Sequence, residues 1–327
     1  MDSLVDSSGK RRRYVAACLV ALMAAVSCAP LNGGVRRTSR SYSAYLKGLL
    51  TDRMGSFEEA AVHYRTAQKL DQKSPSPRFQ LGLDYIGLKD FKKAEEEFQA
   101  VLRLDPDDEN ARYVLALVYA QLSDHQKAAE QYEILLKSAA SLPQQTQLRR
   151  ILSQLYFLAG DNAAAARHGE KILQMNPLDQ DALYFMGLMS SEEGRADEAA
   201  GYFKKVLEYY PQDWDAMNSL AFLYAEKGVQ LGEALDMATR VVTEEPDNGA
   251  YLDTLGWVYF KLGDAPQAIV WLEKAARIMV DPVILNHLAE VYEAQGNLGK
   301  ARTLRQTSLA LDPSQKDIRK KLLQGVK

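Results

Sequence analysis

Residues 251–275 read YLDTLGWVYFKLGDAPQAIVWLEKA. Leu252, Leu255 and Tyr259 recur at intervals of three and four, which predicts one apolar face of a helix. Gly256 stands inside that helix, where glycine costs stability, and so predicts a close approach by a neighbouring backbone. Gly263-Asp264 ends the helix, and Ala268, Leu272 and Ala275 form the apolar stripe of a second one. Two such helices make an antiparallel hairpin that cannot bury its own apolar face. It needs copies of itself.

The copies are present. The site of Gly256 is held by Gly48, Gly82, Ala116, Ser153, Gly187, Ala221 and Ala289 in seven others, all of them small. The site of Tyr259 is held by Tyr85, Tyr119, Tyr156, Tyr224 and Tyr292, with Thr51 and Ser190 as exceptions. An alanine recurs in every second helix: Ala60, Ala94, Ala128, Ala165, Ala199, Ala234, Ala268 and Ala301. Proline, which cannot continue a helix interior, closes five copies at Pro106, Pro177, Pro211, Pro246 and Pro313.

On these residues the chain resembles the tetratricopeptide repeat family, whose unit is a helix-turn-helix of about 34 residues. The resemblance covers residues 41–315 as eight repeats. It implies an all-α fold, a right-handed superhelical solenoid of hairpins, with residues 316–327 as a capping helix. In that last stretch Ile318, Leu322, Leu323 and Val326 fall on one helical face, opposite Lys316, Arg319, Lys320 and Lys321.

The departures are specific. Arg78, Arg112 and Arg149 stand where the family carries a first-helix tryptophan. Three extra residues enter near Ser141-Leu142-Pro143, a place for the array to bend, and one more lies between Gly228 and Ala234. The fourth copy is the weakest, with Gly169 at an aromatic site and alanine throughout 163–166.

Composition excludes several classes. Hydrophobic residues make up 47% and charged residues 25% of the chain, a balance that suits a folded domain rather than a disordered one. The net charge of −3 argues against nucleic-acid binding, which calls for a basic surface. His63, His125, His168 and His287 are scattered over different copies, and no nucleophile, metal or phosphate-loop spacing occurs. The expectation is a non-enzyme with no metal and no cofactor.

The N-terminus carries an address. Lys10–Arg13 is a basic run, and residues 14–26, YVAACLVALMAAV, are an apolar stretch too short to span a bilayer but fit for export. Residues 25–28, Ala-Val-Ser-Cys, resemble a bacterial lipoprotein signal, in which the cysteine is acylated and becomes the new N-terminus. The resemblance implies a signal peptide over 1–27, lipidation at Cys28 and a membrane anchor. Ala29, which is not aspartate, implies the outer membrane, facing the periplasm; a soluble periplasmic protein is the alternative. Residues 28–40 are Gly-, Pro- and polar-rich and read as a flexible tether.

In this family the first helices line a concave face that binds peptide or protein. Carried over by register, the lining is Tyr45, Phe79, Leu83, Tyr113 and Leu117 in the first three copies. The later copies supply Tyr184, Asn218, Asp253, Trp257 and Asn286. The early part is apolar and aromatic, whereas the later part mixes aromatics with amides and acids. The expected function is a membrane-anchored periplasmic scaffold that binds protein partners during assembly of an envelope or secretion complex. The alternative is a glycan-binding module of an exopolysaccharide export system.

Overall fold

The computed structural model describes residues 33–324, with side chains described over 36–323. The signal segment, Cys28 and residues 325–327 lie outside the described residues. Seventeen α-helices follow one another among the described residues. The chain divides at Ala165 and Ala166 into two compact units.

The first unit holds α1 (Gly33–Asp52), α2 (Phe57–Leu70), α3 (Ser76–Gly87), α4 (Phe91–Leu104), α5 (Glu109–Gln121), α6 (His125–Ser138) and α7 (Leu142–Leu158). Helix α8 (Asn162–Met175) carries the division point. The second unit continues with α9 (Gln180–Glu192), α10 (Ala196–Tyr209), α11 (Trp214–Lys227), α12 (Leu231–Glu244) and α13 (Gly249–Lys261). It ends with α14 (Ala265–Ile278), α15 (Pro282–Ala294), α16 (Leu298–Leu311) and α17 (Lys316–Gln324).

Helix ends are set locally. Asp90, Asp108, Asp124, Asp179, Asp213, Asp264 and Asp281 each accept a backbone N–H from the first turn of the helix they precede. Such a cap is worth about 1 kcal/mol. Most hairpin turns pass through a left-handed glycine such as Gly263 (φ 87°), but Lys89 and Ser123 (both φ 58°) take that place in two copies.

In the first unit α1 packs on α2, α3 on α4 and α5 on α6, and each second helix packs on the next first helix. Tyr64, Leu81, Phe98, Leu115, Tyr132 and Leu152 fill its core. The second unit repeats the scheme from α9 to α16, with α17 laid on α16. There the first helices α11, α13 and α15 also touch in succession.

The small sites have the expected cause, and the partner is the second helix of the same hairpin. A Cβ on Gly82 would lie 2.8 Å from the Phe98 ring. On Gly256 it would lie 2.7 Å from Leu272 Cγ, 3.1 Å from Leu272 N and 3.2 Å from Ala268 O. Arginine replaces the family tryptophan by reaching the same helix: Arg78 pairs with Glu97 at 3.0 Å and Arg112 donates to Gln131 at 3.0 Å.

Sequence expectations need adjusting at four places. Residues 33–40, expected as part of the tether, are helical, because α1 already begins at Gly33. Arg37 Nε donates to Leu70 O at 2.8 Å and Ser41 Oγ to Ala67 O at 2.8 Å. Leu70 O is a carbonyl that the end of α2 leaves open, Ala67 O also accepts the Asp71 N–H, and both side-chain bonds hold the extra turns of α1 in place. The insertion near Ser141 lengthens α7 to 17 residues, with Ser141 as its cap. The single residue after Gly228 is taken up by a left-handed Gln230 (φ 49°). In α17, Ile318 and Leu322 are partly buried, but Leu323 is 71% exposed. No helix among the described residues is long and apolar enough to cross a membrane.

Gly256→Leu is expected to cost about 1–3 kcal/mol by overpacking a site where backbone and side chain both stand close. Gly201→Ala, in α10 with nothing within 4 Å of a new Cβ, should instead stabilise by up to about 1 kcal/mol. Urea unfolding of the two variants checks this; equal midpoints would refute the packing account.

Candidate functional site: an apolar first-helix face

In the first unit an aromatic recurs at one position of each of the first three first helices and rests on an aromatic of the second. Tyr45 meets Tyr64 at 5.8 Å between ring centroids, Phe79 meets Phe98 at 5.4 Å and Tyr113 meets Tyr132 at 5.8 Å. The last two pairs are edge-to-face, the favoured geometry for neighbouring rings. The second ring fixes the first, so each aromatic is held on one side and open on the other.

One turn further along the helix come Leu83 and Leu117. Leu83 is 38% exposed, Tyr113 45% and Leu117 43%, although all three are large and apolar. Beside them, Tyr45, Phe79, Pro75, Ser76, Gln80, Asp108 and Asn110 line a cavity of about 220 Å³. This is a shallow apolar face with a pocket at one end.

Asp84, next to Leu83 in α3, is buried. Its Oδ2 and the hydroxyl of buried Tyr64 have no hydrogen-bond partner. Burial, and secondarily the charge of Asp52, pushes the Asp84 carboxyl up to about 7. Burial also raises the Tyr64 hydroxyl.

The later part of the expected groove is organised differently. Asp253 is 6% exposed and both its oxygens bond His287 Nδ1, at 3.0 and 2.9 Å. Trp257 is 3% exposed, stacks on the His287 ring at 4.2 Å and donates its indole N–H to Glu226 at 2.5 Å. Tyr184 shares a hydrogen bond with Ser219 at 3.3 Å, and Asn286 donates to Gln315 at 2.7 Å. Asn218 is half-buried, with its Oδ1 unpartnered. Trp257 and Asp253 were expected on an open lining. They are instead buried where α11, α13 and α15 touch, and their polar groups are used within the fold. His287 and Glu226, which the sequence reading left without a role, complete this cluster. The signal was there: Asp253 and His287 stand 34 residues apart, one repeat length.

Family models described as tetratricopeptide repeat match residues 79–143, 122–182, 152–213 and 190–228, and a second set matches 250–274 and 282–307. Together they cover more than half of the chain. It belongs to the tetratricopeptide repeat family. No curated protein matches the chain. Among solved structures it is similar to a tetratricopeptide repeat protein from Parabacteroides merdae ATCC 43184, with 19% identity and a TM-score of 0.67. That match covers 78% of this chain and 100% of the other. It is also similar to PilW, a type IV pilus biogenesis factor, with 20% identity and a TM-score of 0.53, covering 66% of this chain and 99% of the other. A third is a thermophilic tetratricopeptide repeat protein of Thermus thermophilus, with 23% identity, a TM-score of 0.50, and 55% and 98% of the two chains covered. At these identities the likeness concerns the fold. Tetratricopeptide repeat proteins are in general protein-binding scaffolds rather than enzymes.

The Asp84 carboxyl yields a pH test. Folded, it keeps its proton to about pH 7, whereas unfolded it loses it near pH 4. Between those values the folded state binds more protons, so the native carboxyl lowers stability as pH rises. Asp84→Asn should therefore gain on the native chain from pH 4 to 7 and hold the gain above, on the order of 2–4 kcal/mol. Parallel stability-versus-pH curves for the two proteins would refute this.

Proposed function

We propose that this chain is a membrane-anchored periplasmic scaffold of a bacterial envelope, holding a protein partner on the apolar face of α3 and α5 while an envelope or secretion complex assembles. The observation that carries the binding half of this reading is the exposure of Leu83, Tyr113 and Leu117, at equivalent register on consecutive first helices. Exposed apolar surface of this kind marks interaction sites. The face suits the apolar side of a partner's amphipathic or hydrophobic segment, with Tyr113 as an aromatic anchor. In the second unit Asp253 and Trp257 are buried and Tyr184 and Asn286 are hydrogen-bonded, while Leu188 is 37% exposed; binding is assigned to the first unit, where Tyr113 and Leu117 are the more exposed.

Anchoring rests on the leader: a basic run, a short apolar stretch and the Ala-Val-Ser-Cys sequence ending at Cys28. PilW, a fold relative, is itself a pilus biogenesis factor, which agrees with an envelope role without specifying one.

Two experiments test the proposal. Crosslinked pull-down from envelope membranes should lose its partner when Tyr113→Ala and Leu117→Ala are combined, since removing an anchor typically costs about 2 kcal/mol, roughly thirtyfold in affinity. Ile134→Ala with Val270→Ala, two exposed apolar residues on second helices, is the control. Equal loss in the control would mean that general stickiness and not this face holds the partner. Separately, metabolic palmitate labelling should vanish in Cys28→Ser; persistent labelling would sink the lipoprotein assignment.

A further inference from the structure

The second helix of each hairpin presses one side chain against the small site of the first. In the order of the copies that position is Tyr64, Phe98, Tyr132, Gly169, Phe203, Ala238, Leu272 and Arg305. Five of the eight are large and apolar. The last is an arginine, opposite Ala289, and it is 5% exposed. A buried guanidinium is costly unless its charge and its five N–H donors find partners.

Arg305 is only partly satisfied. Its Nη2 bonds Glu293, while its Nε is buried with no partner. The Arg305 bond, and less so the charge of Lys321, holds the Glu293 carboxyl below its ordinary range, so Glu293 is ionised. Arg305 and Glu293 line a cavity of about 230 Å³ with Arg302, Lys321, Leu298 and Gly299. Arg302 and Lys321 form no ion pair among the described residues. One carboxylate therefore faces three cations. Leu298 and Gly299 bring the first turn of the 14-residue α16, whose backbone N–H groups favour an anion. A Cβ on Gly299 would meet nothing within 4 Å, so that approach is open.

We infer that this pocket, between α15, α16 and α17, binds a phosphate group, with Arg302, Arg305 and Lys321 as its cationic wall. A tetrahedral oxyanion supplies the acceptors that these groups lack and balances the excess charge. Its apolar lining is Leu298, 64% exposed, and the partly buried Leu322. Free phosphate and the headgroup of an anionic phospholipid share this chemistry, and experiment separates them.

The full chain, carrying Cys28→Ser to remove any acyl contribution, is titrated with inorganic phosphate against chloride at matched ionic strength, with thermal stability as the readout. A ligand that binds only the folded state raises the midpoint saturably. The midpoint should rise in the starting chain. The apparent affinity should fall at least tenfold in Arg302→Gln with Lys321→Gln, and also in Arg305→Leu, which restores the apolar residue of the preceding copy. Lys316→Gln with Lys320→Gln removes equal charge outside the pocket and should leave the response intact.

The same proteins are then sedimented with phosphatidylglycerol and phosphatidylcholine vesicles. Loss of phosphatidylglycerol binding in the pocket variants alone identifies the lipid headgroup as the source. Equal vesicle binding in all variants, with the phosphate response still specific to the pocket, identifies free phosphate. If neither phosphate nor vesicles distinguish the pocket variants from the control, the assignment is overturned.

Discussion

The close approach of the two helices within each hairpin is the contact on which the rest of the chain depends. Isolated helices of 13 or 14 residues are marginal in water, so tertiary packing has to hold them. A small residue on the first helix lets the second press Tyr64, Phe98, Phe203 or Leu272 against its backbone. The same side chain also props up a residue on the outer face: Tyr64 supports Tyr45, and Phe98 supports Phe79. Fold and the proposed binding face thus share one cause. An aromatic propped in this way loses little freedom on binding a partner, which is what an anchor requires.

The two units differ at several equivalent positions. In the first, Leu83, Tyr113 and Leu117 are largely apolar and stay open. In the second, α11, α13 and α15 touch, and polar groups at the same register find one another. The Trp257 indole, bonded to Glu226 and stacked on His287, shows the consequence. At 3% exposure it is part of the core, and a partner could reach it only by taking the place of packing that already satisfies it. A large aromatic in groove register is therefore not by itself a binding residue. What decides is whether the next copy carries a group that covers it.

This also explains which features were legible in the sequence. Hairpins, small sites and helix ends depend on residues within one repeat, so periodicity and an aspartate before a helix were enough to place them. Leu83, Tyr113 and Leu117 are exposed at the register that the repeat pattern gives them. Asp253 and Trp257 could not be placed, since register assigns each residue by itself while His287 comes from the following copy. The start of α1 was missed for a related reason. Arg37 and Ser41 secure it through carbonyls of α2, and side-chain to backbone bonds across a hairpin leave no trace in an apolar pattern.

Arg305 raises a different question, because terminal repeats of such arrays are commonly altered to meet solvent. That explanation predicts an exposed polar residue, as at Arg319 or Lys320 on α17. Arg305 is buried, at a position where five other copies place a large apolar side chain and none places a charge, and α17 lies on its helix. Leucine there would fill the site at no electrostatic cost, as Leu272 does one copy earlier. Glu293 offsets part of that cost, yet it is itself 45% exposed at the side chain and leaves Nε without a partner. The cost of keeping a cation in this core position is met once the pocket holds an anion, so solvation of the chain end does not account for it.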